Sequence, residues 1–339
     1  MSDFTRTENL SFDMESLAIP TTSTLSSSDH WDQFQARVGI NRVLHRVKPG
    51  LYSLGNPTPN SPVFVTANYK LSFNALRSSL GGVDGWILVL DTHGINVWCA
   101  AGKGTFGTDE LVKRIELTGL KDIVRTRVLI LPQLGATGVA AHLIKKRTGF
   151  KVEYGPARAE DLGNYLQTRE ATPQMRKVRF DLRDRLVLIP VDIVNYFLPT
   201  LLAALILYFL GGWFSVLAVI AAVLGAVVLF PILLPWLPFR DFSVKGYLLG
   251  LLVMIPFIIF SFSGSESTLL LRVLHVLPLL LGFPVVTAFI ALNFTGSSTF
   301  TSRTGVKKEI YAYIPAMAWM FGISVAVTLG LFIWKALGG

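Results

Sequence analysis

The chain has 339 residues, 51% of them hydrophobic, and a net charge of +9; this exceeds one ordinary domain, and the apolar content is that of a membrane protein joined to a soluble region. Many of the basic residues flank apolar segments, where membrane orientation accounts for them, so the positive charge is not read as a sign of a nucleic-acid partner. A single cysteine excludes an intrachain disulfide and an intrachain four-cysteine iron–sulfur cluster, and it fits a reducing compartment.

Residues 1–60 read as an N-terminal leader, partly disordered. They lack the basic-then-apolar pattern of a secretory signal, and residues 21–28 (TTSTLSSS) are polar and expected to be mobile. Residues 61–169 alternate strand and helix signals. Strands are expected at 63–66, 86–90, 128–131 and 151–154, the second continuously apolar and so buried on both faces. Helices are expected at 71–80, at 108–117 with Thr108 as N-cap, at 135–146 and at 160–169. This spacing predicts an α/β domain with a parallel, Rossmann-like sheet.

A basic linker, 170–185, leads to a region rich in long apolar runs, 186–335. Five segments there are long enough to cross a bilayer: 186–210, 212–237, 244–263, 268–294 and 311–334. An all-α domain of five transmembrane helices, in contact with membrane lipid, is therefore expected. Arg and Lys precede the first segment (Arg176, Lys177, Arg179, Arg183, Arg185). They recur between the second and third (Arg240, Lys245) and between the fourth and fifth (Arg303, Lys307, Lys308). The intervening loops at 211–212 and 263–266 carry neither. That alternation predicts a multi-pass protein of the cytoplasmic membrane, with the N-terminus and soluble domain cytoplasmic and the C-terminus outside. Asp192 and His275 are ionisable groups in or near spans; an interfacial Asp192 and a His275 bonded to a neighbouring helix are the plainer readings, and the bundle serves as an anchor.

Ligands of open α/β sheets bind beyond the carboxyl ends of the strands. Three segments leave those ends: 66–68, 91–103 and 132–138. The last, with Gly135 and Thr137, has the small residues that let a phosphate approach backbone amides, and a plain strand-to-helix turn uses the same residues. Gly102-Lys103-Gly104-Thr105-Phe106-Gly107 matches a dinucleotide fingerprint in letters, but it lies well beyond the strand that should precede it. The remaining segment holds the lone thiol, in Asn96-Val97-Trp98-Cys99-Ala100-Ala101-Gly102-Lys103. A lone cysteine is commonly a small buried hydrophobe. Here Asn96 is a good N-cap, which puts Cys99 in the first turn of a helix, where the dipole favours negative charge on sulfur. Lys103 stands at i+4 on the same face. Ala100, Ala101, Gly102 and Gly104 leave little bulk beside it, which suits a broad, flat ligand such as a macrocyclic metal cofactor with Cys99 as axial ligand.

That octapeptide resembles, position for position, the signature of the mercury-methylating corrinoid proteins (the HgcA family). The resemblance extends to the architecture, a Rossmann-like corrinoid-binding domain followed by five spans. More distantly, the domain is similar to the corrinoid-binding part of the large subunit of the corrinoid iron–sulfur protein. The resemblance implies a base-off corrinoid with the Cys99 thiolate as lower ligand of its cobalt, and Thr66 in the place of the family's threonine near the corrin. Asn96 would cap the helix, Trp98 would pack it on the domain, and Lys103 would steady the thiolate or a corrin side chain. The implied reaction is methyl transfer from the methyl–cobalt corrinoid to Hg(II), by a carbanion-equivalent or a radical route. It further implies a ferredoxin-like partner with two 4Fe–4S clusters (HgcB type) as electron donor and Hg(II) carrier. The methyl group would come from a methyltetrahydrofolate-linked methyltransferase.

Overall fold

Short, densely apolar segments between 50 and 154 build five strands of one six-stranded sheet in the structure, a computed structural model that describes residues 18–40, 44–263, 268–295 and 303–338. In chain order its elements are β1 (Ile19–Thr21), α1 (Ser27–Val38), β2 (Gly50–Leu54), β3 (Val63–Ala67), α2 (Lys70–Ser78), β4 (Gly85–Leu90) and α3 (Val97–Lys103). They continue with α4 (Thr108–Leu117), α5 (Leu120–Ile123), β5 (Val128–Leu131), α6 (Ala141–Thr148), β6 (Lys151–Tyr154) and α7 (Leu162–Thr168). The strand order is β1-β2-β4-β3-β5-β6. Strands β4, β3, β5 and β6 run parallel, in the register Val63↔Trp86 and Val128↔Lys151.

Every residue of β3 and β4 is buried, as continuous apolar runs demand when helices cover both faces. Alternation within the strands sorts the side chains into two cores. One face gathers Phe64, Ile87, Val89 and Ile130 with Phe73 and Leu76 of α2 and Leu162 and Tyr165 of α7. The other gathers Val65, Leu88, Leu90 and Leu131 with Val97 and Ala100 of α3, Leu111 and Ile115 of α4, and Ile144 of α6.

The structure departs from the sequence reading in four places. The sheet is mixed, because β2 pairs antiparallel with β4. It also takes in β1 and β2, both from the stretch read as a leader, and residues 21–28 lead from β1 into α1; residues 1–17 lie outside those described. The N-cap of α4 is Gly107, and the Thr108 hydroxyl instead accepts a hydrogen bond from Ala140 N at 2.9 Å. The helix expected at 135–146 starts only at Ala141, after a single 3₁₀ turn, Gln133–Gly135, and the one expected at 160–169 opens on another, Ala159–Asp161.

A second unit comprises the residues from 179 onward together with Arg37–Gly39. It contains α8 (Leu182–Leu186), α9 (Ile189–Leu224), α10 (Phe230–Leu233), α11 (Phe242–Phe262), α12 (Leu269–Phe294) and α13 (Arg303–Ala336). A π-helical turn, Gly225–Leu229, joins α9 to α10. Among the described residues four helices are long and apolar enough to cross a membrane, one fewer than expected. The difference lies in the first, Leu182–Leu233, whose 52 residues hold both of the first two expected segments. Gly212 breaks it, with φ +66° and ψ −164°. Straight, it would be about 78 Å long at 1.5 Å per residue, yet Tyr196 packs with Ala226 and Val227, and Arg185 donates to the carbonyls of Pro231 (2.9 Å) and Ile232 (3.0 Å). The chain therefore doubles back at Gly212 as a helical hairpin. Part of the expected 263–266 loop, 264–267, lies outside the described residues.

Close packing of α11 on α12 rests on Gly246 and Gly250, four residues apart. A Cβ on Gly246 would lie 2.5 Å from Ala291 Cβ, and one on Gly250 2.6 Å from Pro284 Cα. Small residues at this spacing let two backbones approach where lipid supplies no hydrophobic drive.

Candidate functional site

The sheet reverses its winding between β3 and β5. From β3 the chain crosses to β4 on one side through α2, and from β4 it crosses back past β3 to β5 through α4. Open sheets of this kind leave a crevice at the carboxyl ends of the two strands that part company. A cavity of about 270 Å³ lies there. Thr66 at the end of β3 lines it, with Leu131 and Pro132 after β5, Ala75 and Leu76 of α2, and Asn96, Val97 and Trp98 of the cysteine segment. Its volume is below that of pockets that enclose a drug-sized molecule, so a broad ligand would lie across the open rim.

Helix α3 carries Cys99 directly after the Asn96–Trp98 segment that lines the cavity. Asn96 caps it in an extended conformation, its side-chain oxygen accepting the backbone N–H of Cys99 at 2.9 Å. The cap therefore acts on the cysteine's own amide. Val97, Ala100 and Ala101 turn into the core, 7%, 0% and 5% exposed, so the two alanines serve packing and do not clear space beside the sulfur. Cys99 is exposed, with Gly102, Lys103 and Gly104 on the same side. A Cβ added at Gly102 or Gly104 would meet nothing within 4 Å. Trp98 is 40% exposed and forms part of the cavity wall together with Thr66, Ala75 and Leu76 of the domain.

The loop between β4 and α3 is held by a residue that sequence reasoning left unused. Asn68, 1% exposed, accepts hydrogen bonds through its side-chain oxygen from Thr92 N (3.1 Å), Thr92 Oγ1 (2.9 Å) and Gly94 N (3.0 Å). Its amide nitrogen donates to Asp91 Oδ1 at 3.2 Å. The single proton of Thr92 Oγ1 is shared between Asn68 Oδ1 and the carbonyl of Ile95, 2.6 Å away and next to the cap. From behind, Glu110 accepts from Asp91 N at 2.9 Å while Arg114 Nη2 donates to it at 2.6 Å. An Asn immediately after a buried strand, followed by Asp-Thr after the next strand, is the only sequence signal for this scaffold.

The 132–138 segment resolves toward the turn reading. A Cβ on Gly135 would come 2.6 Å from Phe106 Cε1, and one on Gly138 would come 2.1 Å from Phe106 O and 3.0 Å from Ala101 Cα. These glycines let the segment press against the far side of α3. Their amides are engaged locally, Gly135 N with Pro132 O (2.9 Å) and Gly138 N with Gly135 O (3.1 Å). Thr137 is exposed in the same turn. Half-buried Tyr154, its hydroxyl pushed up in pKa by that burial, ties the segment down by donating to Val139 O at 2.5 Å. The glycines of the apparent dinucleotide fingerprint join two helices: Gly104 ends α3 with φ +86° and Gly107 caps α4. In the second unit, Asp192 sits in the first turn of α9, and His275 bonds the carbonyl of Leu271 in its own helix at 2.8 Å, not a neighbouring one.

Residues 41–166 match the family of CO dehydrogenase/acetyl-CoA synthase delta subunits. The chain is 36% identical over 124 residues to the acetyl-CoA decarbonylase/synthase complex subunit gamma of Archaeoglobus fulgidus, covering 36% of this chain and 26% of that one. It is 34% identical over 128 residues to the gamma subunit of Methanopyrus kandleri (37% and 27%) and 36% identical over 123 residues to that of Methanocaldococcus jannaschii (36% and 25%). The chain thus spans about a quarter of the length of these curated relatives. The match supports the more distant of the two resemblances, that to the corrinoid-binding domain of the corrinoid iron–sulfur protein. It takes in β2 through α7 and Cys99, and leaves out β1, α1 and all the apolar helices.

Proposed function

We propose that the chain is a membrane-anchored, corrinoid-dependent methyltransferase, that Cys99 Sγ is the lower axial ligand to cobalt, and that Hg(II) accepts the methyl group. The observation that carries the reading is the exposed Cys99 on α3, its amide held by Asn96, next in sequence to the Asn96–Trp98 segment that lines the switch-point crevice, in a domain similar to the gamma subunits. When bound, base-off, the corrinoid supplies a cobalt centre that carries a methyl group and releases it to an acceptor.

The residues present fit such a group. Gly102 and Gly104 leave the space above α3 open, which a planar macrocycle needs and a compact ligand does not. Thr66 and the Trp98 indole line the adjoining cavity, where they would bound the ligand's edge. Lys103, on the sulfur's side, would meet a thiolate or an acidic side chain of the ligand. The Asn68 network keeps the sulfur in one place by fixing the loop before the cap. A thiolate is a strong electron donor, so its task at this position is tuning, and Cys99 would make no nucleophilic attack.

Mercury as acceptor rests on the octapeptide signature together with the apolar helices that follow the domain. Five crossings, counting the hairpin at Gly212 as two, would set the domain in the cytoplasm and the C-terminus outside. Because one thiol cannot both ligate cobalt and chelate Hg(II), electrons and mercury would come from a ferredoxin-like partner with two 4Fe–4S clusters. The methyl group would come from a methyltetrahydrofolate-linked methyltransferase. The similarity to gamma subunits favours a second reading, a corrinoid methyl carrier with another acceptor. Anaerobic turnover of the full chain with Hg(II), a methyl donor and a reductant tests both. Methylmercury formation lost in Cys99→Ala is expected; undiminished methylation by that variant would overturn the ligand role, and methyl transfer that ignores Hg(II) would establish the second reading.

A further inference from the structure

Helix α1 wears its polarity reversed. Its acids face the protein: Asp29 Oδ2 accepts from Arg77 Nη2 at 2.6 Å, and Asp32 lies 2.7 Å from Lys70 Nζ and 2.6 Å from His45 Nδ1. Its aromatics face away. Trp31 and Phe34 are 61% and 53% exposed and stack with ring centroids 5.5 Å apart. His30 and Arg37 share that outward face, and Ile40 and Leu44 beyond the helix are exposed as well. A helix in water would turn these faces the other way.

The last residues of α1, Arg37 and Val38, belong with Gly39 to the second unit, the one that holds the chain's long apolar helices. Tryptophan and phenylalanine flanked by arginine are the side chains that settle at a bilayer's headgroup level, the ring bodies in the acyl boundary and the guanidinium in the headgroups.

We propose that α1 is an interfacial helix whose Trp31–Phe34 face lies in the headgroup region of the bilayer that holds the chain's own apolar helices. The occupant of this face is lipid. Attachment through the same chain keeps the helix at high effective concentration at the membrane, so a small aromatic patch suffices. The Asp29–Arg77 and Asp32–Lys70 pairs then tie the docked helix to α2, which starts just after Asn68. The proposal requires only that the apolar helices span a bilayer; it is independent of the cofactor.

The test is the full chain in nanodiscs whose lipids are brominated near the headgroup, compared with unbrominated discs. The fluorescence of Trp31 is taken as the difference between wild type and Trp31→Phe, which keeps an aromatic ring at the position. A blue-shifted difference spectrum that loses most of its intensity in the brominated discs is expected. A solvent-like, unquenched spectrum would overturn the proposal, and a blue-shifted but unquenched one would do so too, since it would mean cover by protein. Because the chain's co-migration with the discs is scored separately, an unquenched Trp31 in a well-inserted protein counts against α1 alone.

Discussion

Cys99 is placed by a residue three positions away. Asn96→Ala removes the acceptor for the Cys99 amide and should cost about 1 kcal/mol, as cap deletions do. The predicted result is a marked loss of corrinoid retention with little change in melting temperature, measured by cobalt content after gel filtration; unchanged retention would show that the cap does not position the sulfur. Gly138→Ala should destabilise the domain by roughly 1–3 kcal/mol, because the new methyl collides with Phe106 O and Ala101. Thermal unfolding reads this directly. At this scale the sequence made Asn96, Cys99 and Thr66 legible, since a cap preference and a strand end are local properties. The two alanines came out facing the core, not the space beside the sulfur. Which face of a seven-residue helix is buried depends on what packs against it, and here that is Phe106 and the turn at Gly135–Gly138, whose small side chains looked like a phosphate loop.

Among the elements, the clasp between α1 and α2 carries a pH signature. Burial alone would raise the pKa of Asp29, but hydrogen bonds from Ser26 and Arg77 hold it well below the usual carboxylate range. Burial likewise opposes, and Lys70 and His45 outweigh it, at Asp32, which is also lowered. Carboxylates with depressed folded-state values contribute stability that is complete above the unfolded value of about 3.9 and is lost as pH falls below it. Thermal unfolding between about pH 6 and about pH 3 should therefore show a steeper loss in wild type than in an Asp29→Asn, Asp32→Asn variant; parallel curves would contradict the clasp. In the loop before α3, Asn68→Ala leaves buried donors at Thr92 and Gly94 unmet, at about 1–3 kcal/mol. It should also speed hydrogen exchange at 92–99 more than elsewhere. The parallel strands, α2 and α4 were legible because their apolar runs and amphipathic periods are long. β1 and β2 were not: three and five residues with Pro, Gly and Ser have no period to read, and their place depends on the edge offered by β4.

For the molecule as a whole, the division into an α/β domain and an apolar helical region follows from composition, and the structure has both. The count of crossings was less direct, because segments one residue apart merge into one helix unless the backbone reverses, and Gly212 supplies that reversal through a positive φ. Gly212→Val should accordingly disturb insertion more than Gly211→Ala, measured by resistance to extraction and by yield in discs. In a Cys99→Ala background, Gly338→Cys should react with a membrane-impermeant thiol reagent in intact cells and Ser28→Cys should not; the reverse pattern would refute a cytoplasmic domain with an outward C-terminus. What joins the scales is one sulfur on a short helix at the switch point of a sheet. The most direct measurement is the visible absorption spectrum of the full chain purified anaerobically with corrinoid, set beside that of Cys99→Ala. The account predicts a bound, base-off corrinoid whose spectrum is displaced by thiolate ligation in wild type and loses that displacement in the variant. Identical spectra, or no retained corrinoid in either protein, would contradict it.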